Sequence, residues 1–236
     1  MTHNPRQAAT FMVLAMLIIG LIDNYIAVIA RDVSLWQFQF LRACMALPLL
    51  GLVAFFGFAS LRPIRLWAIV LRNGLIAVGM LFYFAALAFL PIAQALAGLF
   101  TAPIFVLLIS VFAFGDKVGP VRIGAVLLGF VGIIVVLGPG GDDALTFIHI
   151  LPVFGGFFYA MGSVATQRLC AGESTVAMLA GLFSIQGLIG LCVLGGLALW
   201  GPVAPEGTDG FLTRGLIWPS DLTWGLIAVQ AVGSLI

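Results

Sequence analysis

Apolar runs of about 17–25 residues, repeated from one end of the chain to the other, leave few folds open. Seven complete runs lie near 10–30, 36–57, 66–89, 92–114, 119–138, 147–167 and 176–200, and an eighth starts near 222. A helix of that length crosses a bilayer core of about 30 Å at about 1.5 Å per residue. The connections are short and polar, as in "RDVSL", "ASLRPIR", "GDKVGP" and "CAGEST". No strand-like alternation recurs in the sequence, which argues against a barrel. Backbone groups in lipid must be paired within the protein, and a helix does this locally. The expected fold is therefore all-α, a polytopic membrane helix bundle.

Composition supports this. The 236 residues are 63% hydrophobic and 8% charged, whereas a soluble domain is about 45–50% apolar and about 25% charged. The lipid bilayer must be the solvent. A net charge of +1 gives no reason to expect a nucleic-acid partner. Cys44, Cys170 and Cys192 are scattered, form no metal-type pair, predict no disulfide framework and read as small apolar fillers. Arg6 before the first run and "VIA" before Arg31 have the outline of a signal peptide, but Asp23 and Asn24 interrupt the run and more spans follow. Arg6, Arg62, Arg65, Lys117, Arg122 and Arg168 fall on one side of the alternating loops, and only Arg31 and Arg214 on the other. That bias puts the N-terminus in the cytoplasm and Asp32, Asp142, Asp143, Glu206 and Asp209 outside. The chain reads as an integral protein of a bacterial cytoplasmic (inner) membrane. From Leu222 to the end the helix would reach only about 22 Å, so the native chain is expected to continue.

Two passages run alike. "ARDVSLWQFQFLRACMALPLLGLV" joins spans one and two, and "CAGESTVAMLAGLFSIQGLIGLCVL" joins spans six and seven. If span six repeats span one, the unit is five helices, and an odd unit enters the membrane inverted, a plan many transporters use. Residues 72–139 carry "LPIAQA" at the start of span four, "FTAPIFVLLIS" within it, the acid–Lys pair of "GDK" before span five and "GAVLLGFVG" inside span five. In these features the chain resembles the EamA-type members of the drug/metabolite transporter superfamily. The resemblance covers nearly all of the chain. It implies ten helices in two inverted five-helix repeats, both termini cytoplasmic, with about seven and a half helices present here. The first repeat would be residues 1–139 and the partial second 140–236. Asp116 stands where the family usually has Glu, a mild departure. The implied function is a secondary transporter of a small organic metabolite or drug, working by alternating access.

The polar residues inside the apolar runs are the candidate solute-cavity residues. A charge at mid-bilayer costs about 2.5–3.5 kcal/mol on insertion scales, so such groups face the interior or water. Gly20, Asp23, Asn24 and Ala27 fall on one helical face. Asp23 lies about 10 Å below the outer end of span one and Arg42 about 9 Å below that of span two. With five residues between these spans, the two charges are at matching depth, as a cavity-lining ion pair or as a purely structural one. Burial and a neighbouring Arg act oppositely on a carboxyl group, so a proton-coupling role for Asp23 stays open. In span four, Ala93, Ala97 and Thr101 form one small ridge and Gln94, Gly98 and Ala102 another. Pro103 should free the carbonyl of Leu99 near mid-span, for a solute or merely as a packing kink. Tyr83, Gln94 and Tyr159 complete the candidates, with helix-to-helix hydrogen bonds as their alternative role. Arg72 reads as an anchor that snorkels to the interface. Gly124, Gly129 and Gly132 give span five a smooth face for another helix or for the second subunit of a homodimer.

Competing functions have less support. Ser163 in "AMGSVA" lacks the second glycine of GxSxG. His3 and His149 lie at a tail and a span edge, and no paired intramembrane acids or metal-type motif occur. An intramembrane enzyme is disfavoured, and no cofactor or metal is called for. No GxxxxGK[ST] cradles nucleotide phosphates, so an ATP-driven pump is disfavoured too. A non-transporting membrane scaffold is the remaining alternative.

Overall fold

A computed structural model describes residues 5–57, 60–137, 147–201 and 206–235. The expected outer-loop acids Asp142 and Asp143, and His3, lie outside the described residues. The described chain is helical: α1 (Pro5–Asp23), α2 (Ile26–Asp32), α3 (Leu35–Phe55), α4 (Leu66–Phe89), α5 (Ile92–Leu99), α6 (Ala102–Phe114), α7 (Pro120–Leu137), α8 (Phe147–Leu169), α9 (Thr175–Trp200) and α10 (Asp221–Gly233). No strand occurs among the described residues. Six helical stretches are long and apolar enough to cross a membrane: Val13–Asp32, Leu35–Phe55, Leu66–Phe89, Ile92–Phe114, Ile148–Leu169 and Thr175–Trp200. Large side chains such as Phe112, Val121 and Leu128 are left bare. In water that exposure would be ruinous; in lipid it is the expected outer surface. The chain is thus an all-α polytopic bundle and an integral membrane protein.

Two of the expected spans are each broken into two helices. The first breaks at Asn24–Tyr25 and the fourth at Phe100–Thr101. Pro103 occupies the first turn of α6, where its missing N–H costs nothing. The break therefore falls just before the proline rather than within a continuous kinked helix.

The chain forms two compact units, residues 1–49 with 187–236 and residues 50–186. Helices α3 and α9 each contribute one end to either unit. In the second unit α4 and α8 pack most extensively, through glycines. A Cβ built on Gly79 would stand 2.9 Å from the Gly155 carbonyl oxygen and from the Tyr159 nitrogen. One on Gly98 would stand 2.5 Å from the Pro152 Cβ. The small ridges expected on span four are therefore contact surfaces at Ala97, Gly98, Thr101 and Ala102, all buried, while Ala93 is exposed. Gly124, Gly129 and Gly132 of α7 meet no neighbour within 4 Å. At the end of this unit Arg168 pairs with Asp116 and lies 4.6 Å from the centre of the Phe114 ring.

In the first unit α9 rests on α3, with Gly190 set against the backbone of Trp36 and Phe40. The segment before α10 closes over the α2–α3 end. Phe211 is fully buried and its carbonyl accepts the Leu35 N–H at 2.8 Å. Trp36 donates from Nε1 to Leu212, and Gln37 both donates to and accepts from Ile217.

Candidate functional site

At the break in span one the Ile22 carbonyl accepts the Tyr25 N–H at 3.1 Å, and an unmet backbone group there would be costly in lipid. Gln230 of α10 adds a second donor. Its Nε2 donates to the Ile22 carbonyl at 3.1 Å and to Asp23 Oδ1 at 3.0 Å. Asp23 is buried, and its carboxylate acts electrostatically on the guanidinium of Arg42. Arg42 is buried too and lies over Phe38, 5.2 Å from the ring centre. The first unit therefore brings Asp23 and Arg42 into one electrostatic neighbourhood. Asn24 is turned away from them. It is exposed, and its Nδ2 bonds back to the Gly20 carbonyl at 2.8 Å. The single stripe expected from Gly20 to Ala27 is divided: Asp23 is buried, Gly20 and Ala27 are half-buried and Asn24 is exposed.

Gln39 lies three residues before Arg42, on the same side of α3. It is 0% exposed, and neither its Nε2 nor its Oε1 has a hydrogen-bond partner among the described residues. An unmade buried hydrogen bond costs about 1–3 kcal/mol. Sequence reasoning passed over Gln39 and Gln230. The signal was present, since an amide inside an apolar run needs a partner as much as a charge does.

In the second unit Thr101 is buried and its Oγ1 donates to the Gly98 carbonyl at 2.6 Å. The carbonyls of Gly98 and Leu99 lie close to the bare Cα of Gly156 on α8. Tyr83 is buried beside Phe84, Tyr159 and Gln94 are half-buried, and Pro103 is exposed. Arg72, read as an anchor, is half-buried and hydrogen-bonded within the protein. Its Nε donates to Thr166 Oγ1 at 2.9 Å and its Nη1 to Asn73 Oδ1 at 2.6 Å. Asn73, fully buried, passes the chain on to the Met178 carbonyl at 3.0 Å.

Two further carboxylates hold helix starts. Asp32, the last residue of α2, accepts the N–H of Ser220, the N-cap of α10, at 2.8 Å. Glu173, in the link between α8 and α9, accepts the N–H groups of Ile64 and Arg65 at 2.9 and 2.6 Å, and Arg65 is the N-cap of α4. A carboxylate is well placed there, because helix starts carry unpaired N–H groups and positive potential. No group of three or more His, Cys, Asp or Glu among the described residues could hold a metal ion.

Comparison with known proteins gives a consistent result. Residues 6–138 match the EamA-like transporter family. A riboflavin transporter of Rhizobium johnstonii is 32% identical over 72% of this chain and 55% of its own length. One of Vibrio cholerae is 31% identical over 75% of this chain and 60% of its own. An S-adenosylmethionine uptake transporter of Rickettsia conorii is 26% identical over 63% and 49%. The chain thus spans little more than half the length of these relatives. One crystal structure of a protein superposes with a TM-score of 0.62 over 93% of this chain and 73% of that one, at 20% identity, a likeness of fold.

Proposed function

We propose, for a chain that belongs to the EamA-like transporter family, secondary transport of a small organic metabolite across the bacterial inner membrane by alternating access. The observation that carries the mechanism is the matched pair of carboxylate grips. Asp32 and Glu173 occupy corresponding places in the two passages that read alike, each just before a long helix. Each takes backbone N–H groups at the start of another helix: α10 for Asp32, α4 for Glu173. In the repeat proposed for residues 1–139 and 140–236, α4 and α10 are the third spans of the two copies. One plan used twice would place the same grip at each. A five-span repeat turns the second copy over, so the two grips would serve opposite faces of the membrane. Opening one and then the other is what alternating access requires. The excess of Lys and Arg in its loops supports an N-terminus, and with it the Glu173 grip, on the cytoplasmic side.

The relatives support a choice of solute class. Riboflavin and S-adenosylmethionine share a planar nitrogen heterocycle on a polar tail. We take such a compound as the solute, passing the buried polar groups Asp23 and Arg42. The test is flux of labelled riboflavin and S-adenosylmethionine into proteoliposomes holding the protein as the cell makes it. Saturable uptake above that of empty liposomes is expected for at least one. Uptake no faster than in empty liposomes for both would overturn this reading.

A further inference from the structure

The described part of the first unit contains three buried glutamines, Gln37, Gln39 and Gln230. Two are used by the fold. Gln37 spends both ends of its carboxamide on the Ile217 backbone, and Gln230 holds Ile22 and Asp23. Gln39 is as deeply buried as either, yet neither end of its amide meets a protein partner among the described residues. Native proteins rarely leave both a donor and an acceptor of one side chain unmade, and such exceptions point to something outside the chain.

We propose that Gln39 reads the solute: its carboxamide pairs, in two parallel hydrogen bonds, with an edge of a planar nitrogen heterocycle that offers a donor beside an acceptor. This rests on the transport reading above. The chemistry singles out Gln39 among its neighbours. Arg42 can only donate and an ionised Asp23 can only accept, whereas a carboxamide does both in one plane. The imide edge of a flavin ring and the amino–ring-nitrogen edge of adenine both present that pattern. Glutamine pairs with adenine in this bidentate way elsewhere in biology. Arg42, three residues on along the same side of α3, lies over the Phe38 ring, 5.2 Å from its centre. Gln39 is 0% exposed here, so the solute reaches it only when the helices part.

The amide is also expected to be replaceable as far as folding is concerned. Gln39→Leu keeps the approximate volume and removes the two unmade bonds, so the unliganded variant should melt no lower than the wild type. The experiment uses the protein as the cell makes it, in lipid nanodiscs. Binding of riboflavin and of 3-methylriboflavin, whose imide N–H is blocked, is measured for wild type and Gln39→Leu. S-adenosylmethionine and its N6,N6-dimethyl analogue form the second arm. In whichever arm binds, the wild type should prefer the unblocked compound at least tenfold, and Gln39→Leu should erase the preference. A preference that persists in the variant, or is absent from the wild type, overturns the role of Gln39 and leaves transport standing. A markedly lower melting temperature for Gln39→Leu makes Gln39 structural and overturns it as well. Failure of the wild type to bind either heterocycle removes the solute class and the inference together.

Discussion

The α4–α8 contact can be tested to a stated magnitude with one methyl group. A Cβ on Gly79 would sit 2.9 Å from two backbone atoms, the Gly155 oxygen and the Tyr159 nitrogen. A Cβ on Gly155 would in turn sit 3.0 Å from the Gly79 oxygen. Backbone cannot rotate aside, so Gly79→Ala must push the two helices apart by about half an ångström. A gap of that size forfeits about a quarter to a half of each contact's dispersion well along the seam. Overpacking of this kind costs about 1–3 kcal/mol. Replacing a helical glycine by alanine returns up to about 1 kcal/mol. The net loss should be about 1–2 kcal/mol, a factor of about 5–30 in the folded-to-unfolded ratio. Gly74, on the same helix, has nothing within 4 Å of its Cβ position. There Ala should be neutral or stabilising. Reversible denaturant titration in mixed micelles compares wild type, Gly74→Ala and Gly79→Ala under identical lipid conditions. A Gly79 variant as stable as wild type, or a Gly74 variant equally damaged, would refute the argument that close backbone approach is what glycine supplies here.

Removing one member of a buried charge pair strands the other at about 3–5 kcal/mol, so Asp23→Ala should harm folding and Arg42→Ala on top of it should partly rescue. Simple additivity in that double-mutant cycle would show that the two do not act as a pair. Glu173→Ala should free the start of α4 and raise amide hydrogen exchange at Ile64 and Arg65, while Glu173→Gln, with a single acceptor oxygen, should fall between. Equal exchange in all three proteins would remove the grip. Burial raises the Cys170 thiol above its ordinary value, the nearby Arg72 opposing this in part. Less thiolate is then present at any given pH, so maleimide labelling of Cys170 at pH 8 should be slower than that of a free cysteine peptide and climb as pH rises. Labelling at the free-peptide rate would contradict that burial.

How much of this was legible in the sequence depended on how local each cause was. The spans are written in runs of apolar residues, and α3, α4, α8 and α9 start and stop within a few residues of where the runs do. The break before Pro103 was legible in kind, because the lesion in proline is its own missing N–H. The break at Asn24–Tyr25 has no proline or glycine to announce it. What supports it is Gln230, a donor more than two hundred residues away. The partner of Arg72 was hidden for the same reason: Thr166 comes from packing against α8, which distance along the chain does not show. A run such as "WQFQF" shows that amides enter the membrane, but successive i, i+2 positions on a helix point apart. One of these amides is met by a loop from the far end of the chain and the other is not. Hydropathy can therefore list the polar groups that lipid will not tolerate. Sorting them into those the fold consumes and those left for a solute requires the partners, and the partners are tertiary. By that sorting Gln37, Asn73 and Gln230 belong to the scaffold, and Gln39 is where substrate recognition is sought.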